Sequence, residues 1–185
     1  MGTIEVVLDS PTIVAALAQL GPASIVFPRV PPISGDAPVD ALGVFAYIGD
    51  EYFAHILSDD IVREVSQTLT ETIGWRFDET RETLALLYDQ ASDSGGGVVG
   101  PQRQISVPGN LVESTKTAVC TAAAKNLGHP RLVVTGDPAA LRIAQIEPHG
   151  IPFPKGEVIR FMNPGSFARF AAQVRQTRRQ APPGR

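Results

Sequence analysis

The chain has 185 residues, 43% of them apolar, with a mean hydropathy of +0.04 and a net charge of −3. That is the size of one α/β domain with a substantial core, and the composition excludes a disordered chain. No apolar run reaches the length of about 18 residues that a membrane span needs, and MGTIEVV has no basic segment before its apolar run, so neither insertion nor export is expected. The single cysteine, Cys120, excludes an internal disulfide and a multi-cysteine zinc site. It lies in the apolar run TAVCTAAA and reads as a small core residue in a reducing, cytoplasmic compartment.

The charge is unevenly spread. All nineteen acids lie at or before Glu157, and six of the sixteen basic residues lie beyond it, so the body carries −9 and the C-terminal part +6. Such a chain can hold a cation in its body and a polyanion near its terminus. The end, RRQAPPGR, is too rich in Pro, Gly and Arg to pack, which predicts a single domain over 1–177 and a basic flexible tail over 178–185.

In chain order, Ile4 to Asp9 reads as a buried strand that ends on a charge, followed by a helix from about Pro11 to Leu20. Residues 21–36 hold four prolines and read as a loop. Asp36 is placed to cap the helix APVDALGVFAYIG. YFAHIL reads as a short strand, and Ser58 caps the helix DDIVREVSQTLTETIG, whose Ile61, Val62, Val65 and Leu69 form one stripe. Asp78 starts a further helix, ETRETLALLYDQ.

SDSGGGVVGPQRQ then marks a flexible point. Its Gly95, Gly97 and Gly100 spell a G-x-G-x-x-G, but a dinucleotide site needs that pattern between a strand and a helix, and here it follows a helix. QRQISV is strand-like, and 111–127 reads as a helix. A strand over Arg131 to Val134 leads through Thr135-Gly136-Asp137 into the short helix PAALRIAQI. VIRFM is the last strand, and Asn163-Pro164 opens the helix GSFARFAAQVRQ. Strands alternating with helices predict a three-layer α/β fold, a parallel twisted sheet of about four to five strands with helices on both faces.

In such a sheet, ligands sit beyond the carboxyl ends of the strands. Asp9 and Asp137 both fall there, and Glu64 lies one turn into its helix between Val62 and Val65. Each has an ordinary alternative, since Asp9 and Asp137 can cap the helices after them and Glu64 can be solvated. Gathered together, the three would repel one another unless a cation compensates. Hard divalent cations take oxygen ligands and support phosphoryl chemistry. None of the histidines reads as a general base: His55 is inside a strand, His129 precedes Pro130, and His149 lies in a loop.

Four stretches together resemble the PIN-domain nucleases, in particular bacterial toxins similar to VapC. They are VVLDSPTIVAAL with Asp9, HILSDDIVREVSQTL with Glu64, KTAVCTAAAKNLGHPRLVVTGDPAAL with Asp137, and VIRFMNPGSFARF. In order and spacing they cover about residues 3 to 175. The resemblance implies an endoribonuclease, as in the toxin of a toxin–antitoxin pair, in which Asp9, Glu64 and Asp137 hold Mg²⁺ or Mn²⁺ for hydrolysis of RNA. Ser10, Thr115 and Thr135 would support the site, and Arg175, Arg178 and Arg179 would hold the RNA backbone. RNA, an antitoxin protein and a second copy of the chain are the implied partners, with FPRVPPI or the helix APVDALGVFAYIG as surfaces for a dimer.

Two positions depart from the family pattern. Pro11 stands where the family usually has Asn, and Thr115 stands where the main acid of an aspartate-rich stretch would fall. Glu113 is the sole nearby carboxylate and the candidate fourth metal ligand; it lies two positions earlier, about 200° round the helix, so reaching the same metal needs altered geometry. The alternative expectation is therefore a degenerate PIN fold that binds RNA or a protein partner without cleavage. A phosphatase with an aspartate nucleophile shares the V-V-L-D opening but needs a second Asp where Pro11 stands.

Overall fold

The computed structural model describes residues 3–22, 37–48, 52–100, 105–124, 131–153 and 157–180. The predicted cap Asp36, most of the proline-rich loop with FPRVPPI, residues 102–104 and 125–127, His129 and the tail from 181 lie outside these. No helix among the described residues is long and apolar enough to cross a membrane.

The chain opens with β1 (Ile4–Leu8), whose Val6, Val7 and Leu8 are buried, and α1 (Ser10–Leu20). Pro11 sits in the first turn of α1, where its missing N–H costs nothing. Gly21, at φ 82°, ends that helix in a conformation that favours glycine. Next come α2 (Ala37–Ile48), β2 (Phe53–Ser58) and α3 (Asp59–Gln67). The Ser58 hydroxyl accepts from the Ile61 N–H at 3.3 Å, the predicted cap, and Asp59 and Asp60 complement the helix dipole. A π-helical turn, Thr68–Ile73, extends α3 as far as Gly74.

The following helix, α4 (Phe77–Asp93), starts one residue before the predicted Asp78, because the Glu79 carboxylate reaches back to accept the Arg76 N–H at 2.9 Å. Then come β3 (Gly97–Val99), α5 (Glu113–Ala124), β4 (Arg131–Val134), α6 (Pro138–Ile146), β5 (Ile151–Phe153), β6 (Glu157–Met162) and α7 (Pro164–Gln180).

Among the described residues the sheet has six strands in the order β3-β2-β1-β4-β6-β5, all parallel except β5, which runs antiparallel to β6. This is the expected α/β architecture, with more strands than the four to five predicted. The additions, β3 and β5, are three residues each, too short for a periodic signal. Residues 105–107, the described part of the strand-like QRQISV, are not in a strand. The edge strand forms instead inside the glycine stretch. A Cβ on Gly96 would stand 1.8 Å from the His55 carbonyl oxygen, so glycine lets β3 come alongside β2.

From β1 to β2 to β3 the chain steps one way across the sheet. From β3 it crosses back to β4, on the other side of β1. With right-handed crossovers, the two directions put their helices on opposite faces, which fits three layers. Helix α5 packs on β1, β2 and β4, while α2 packs between α1 and α7. The rings of Phe53 and Phe167 meet edge to face at 5.3 Å, joining β2 to α7. Helix α7 continues through Arg178 and Arg179 to Gln180, past the boundary expected at 177. Cys120 is half-buried on α5, less enclosed than a core residue, and burial pushes its thiol pKa up, away from nucleophilic character.

Candidate active site at the carboxyl edge of the sheet

The reversal between β1 and β4 makes a topological switch point, where loops leave two adjacent strands toward opposite faces and leave a crevice. Asp9 and Asp137 flank it. The Asp9 N–H donates to the Val134 carbonyl at 3.1 Å, and the Thr135 N–H to the Met162 carbonyl at 2.9 Å, so the ladder continues one residue past the strands and fixes both positions.

Both aspartates cap helices, as one of the sequence expectations had it. The Asp9 Oδ1 accepts the Thr12 N–H at 3.0 Å, and the Asp137 Oδ1 accepts the Ala139 N–H at 2.8 Å. Asp137 Oδ2 also takes the Val112 N–H at 3.0 Å, which ties the start of α5 to the end of β4. Asp9 is 2% exposed and Asp137 6%. Burial raises the Asp9 carboxyl above its ordinary value and the charge of Asp137 adds to that, while hydrogen bonds from Thr12 and Thr135 oppose it. Two carboxylates far apart in sequence are thus close enough to repel.

Thr135 joins them. Its hydroxyl accepts the Asp137 N–H at 3.0 Å and bonds to the Asp9 carboxyl. The Thr135 hydroxyl also shares a 3.1 Å hydrogen bond with the hydroxyl of Thr115. Thr115 is fully buried, and the position that departs from the family pattern therefore does face this site.

Glu64 reaches the same edge from α3. The hydroxyl of Ser10, next in sequence to Asp9, donates to Glu64 Oε2, and Thr117 donates to Oε1 at 2.7 Å. Among the described residues, no group of three or more His, Cys, Asp or Glu side chains is close enough to share one metal ion. Glu113 turns outward: its side chain is 86% exposed and paired with Lys116 at 2.6 Å.

No family model, curated protein or solved structure matches this chain.

The predicted RNA-binding arginines lie at the other end of the sheet. Helix α7 leaves the carboxyl end of β6 and runs back, and the Arg178 guanidinium stacks 4.5 Å from the ring centroid of Tyr52, the residue before β2. The Tyr52 carbonyl accepts the Ile4 N–H at the start of β1, which marks this as the amino edge. Arg178, with Arg175 and Arg179 near it on the helix, is separated from Asp9 by roughly the length of β1, about 17 Å.

Thr12, Thr117 and the Val112 N–H are site groups that the sequence reading missed. The available signal was the run of hydroxyls at 114, 115, 117 and 121 on one helix. Thr121 extends the network, sharing a 2.8 Å hydrogen bond with the Ser58 cap. Of the histidines, His55 is fully enclosed and His149 exposed, and neither belongs to the site.

Proposed function

We propose that this chain is a metal-dependent endoribonuclease of PIN type, with Asp9, Glu64 and Asp137 as its metal-binding and catalytic acids. The observation that carries this reading is the pair of buried carboxylates flanking the switch point between β1 and β4. Parallel strands with helices on both sides are in keeping with it.

The donors at this edge are of the right class for Mg²⁺ or Mn²⁺, carboxylate oxygens of Asp9 and Asp137 with Glu64 reaching them through Ser10, and a shared ion would have to draw the three acids closer together than they stand. A cation held there would supply Lewis-acid activation of water and neutralise phosphate charge. The protein's own part is positioning: Thr135 steadies Asp9, Ser10 and Thr117 hold Glu64 by both oxygens, and Asp137 anchors α6 and the start of α5. Glu113 is no part of this set. Arginines of α7 would touch only RNA that runs on to the far edge, in a salt-dependent contact.

The test is RNA cleavage by the purified chain with Mn²⁺ and with chelator. Loss of an outer-shell partner already costs about 10–100-fold, so Asp9→Asn and Asp137→Asn should each cost at least about 100-fold. Cleavage that survives both substitutions would sink the assignment. A toxin role would show as growth arrest on expression of the wild type and not of Asp9→Asn.

Thr115 favours a second reading, a catalytically degenerate PIN fold that binds RNA or a protein partner without cutting. Its buried hydroxyl shares a hydrogen bond with Thr135 at the position where the family carries an acid. If the wild type is inert and Thr115→Asp cuts RNA with Mn²⁺, the degenerate reading stands; wild-type cleavage removes it.

A further inference from the structure

Among the described residues, Asp9, Glu64 and Asp137 stand too far apart to share one ion, and the partners of Glu64 show what keeps them so. The backbone of Glu64 is fixed in α3, its carbonyl accepting both the N–H and the hydroxyl of Thr68, the latter at 2.9 Å. Only its half-buried side chain is left to move. That side chain is held from two directions. Ser10, which follows Asp9 in the chain, donates to Oε2 and keeps that oxygen on the side of Asp9. Thr117 donates to Oε1 at 2.7 Å from α5, which packs against α3.

The place of Thr117 on α5 decides what this second bond does. Thr115, two residues earlier, meets Thr135 and through it Asp9. Two residues are about 200° round a helix, so the Thr117 hydroxyl leaves a different side of α5 from the one that meets the aspartates. Oε1 is thereby drawn off from them. The Thr117 hydroxyl also has another acceptor in reach, the Glu113 carbonyl one turn back at 3.1 Å. Threonine inside a helix readily makes that backward bond, and its own helix supplies the acceptor wherever the Glu64 side chain stands. One proton thus has two acceptors, a carboxylate oxygen on the neighbouring helix at the shorter distance and a backbone carbonyl. A hydrogen bond to a carboxylate is roughly twice as strong as one to a neutral oxygen, which favours the first.

We infer, resting on the reading of Asp9, Glu64 and Asp137 as cation ligands, that Thr117 is a catch on Glu64. While its proton is on Oε1 the three acids stay apart; when it turns to the Glu113 carbonyl, Glu64 is released to close on Asp9 and Asp137. The threonine therefore sets the cation affinity of the site, holding it below what the same acids would reach without the catch.

The test is calorimetric titration of Mn²⁺ into the full chain, into Thr117→Val, which keeps the shape and loses the hydroxyl, into Thr117→Ser, which keeps the hydroxyl, and into Asp9→Asn. Thr117→Val should bind Mn²⁺ about tenfold more tightly than wild type, the difference between a hydrogen bond to a charged group and one to a neutral group. Thr117→Ser should match wild type. Melting gives a readout that a purely structural threonine would not move: Thr117→Val should melt below wild type without added Mn²⁺, and the gap should narrow when the ion is saturating. Equal or weaker binding by Thr117→Val, with binding abolished in Asp9→Asn, would overturn the catch and leave the cation reading intact. So would a Thr117→Ser chain that behaves as Thr117→Val does. If neither wild type nor Thr117→Val binds more tightly than Asp9→Asn, the acids take no shared ion and both readings fall.

Discussion

Asp9 is buried at a cost to stability. With its carboxyl raised above the ordinary 3.8 by burial first and Asp137 second, the folded state holds the proton more tightly than the unfolded chain does. Its contribution is therefore fully present below the unfolded value and is lost as pH rises through the folded one. Asp9→Asn keeps a capping oxygen and removes the charge, so the melting temperature at neutral pH should rise by about 2 to 4 °C, the shift that about 1 kcal/mol gives a chain of this size. Mn²⁺ should stabilise the wild type and leave this variant unmoved, as calorimetric melts with and without the ion will show. His55 titrates with the opposite sign. Enclosure in β2 pushes its pKa down from 6.5 to about 3, only slightly offset by the nearby Gln90, and neither ring nitrogen has a hydrogen-bond partner. The unfolded chain then takes up the proton first, so stability should fall as pH drops from about 6.5 and level off near 3. Urea midpoints across that range should decline for the wild type and flatten for His55→Gln.

At the scale of elements, the glycine stretch shows how a single position decides whether an edge strand forms. The Cβ of Gly96→Ala would run into the His55 backbone, which cannot rotate away. The substitution should cost about 2–3 kcal/mol by overpacking and strip hydrogen-exchange protection from Gly97–Val99. Most other elements were legible because each carried its own local signal. Pro11 and Pro138 start helices, Ser58 caps α3, and Asn163 accepts the Ser166 N–H at 2.7 Å to open α7. The strands β3 and β5 were not, since three residues are too few to show a period and their pairing comes from β2 and β6.

At the scale of the molecule, β1 and β4 are held in register by more than backbone bonds. Glu5 pairs with Arg131 across the two strands, Nε to Oε2 at 2.9 Å, with both side chains buried. Removing one partner leaves the other charge enclosed, so Arg131→Met should cost about 3–5 kcal/mol in urea denaturation. Glu5→Leu combined with Arg131→Met should recover most of that loss. This pair lies in the strands whose carboxyl ends carry Asp9 and Asp137, so loosening it should also reduce whatever activity depends on their separation.

The α/β class, most helices with their caps, and the positions of Asp9, Glu64 and Asp137 at helix starts or strand ends could be read from the sequence alone. Periodicity and capping are written within a few residues of where they act. Proximity is not. The repulsion between Asp9 and Asp137, the hydroxyls of Ser10, Thr115, Thr117 and Thr135 that bind the acids together, and the outward turn of Glu113 follow from β4 crossing back beside β1. The same topology sends α7 away from the carboxyl edge, so the arginines expected to hold the RNA backbone stand at the opposite end of the sheet from the acids. Which charges meet is a property of strand order, and strand order is settled only when distant segments pack.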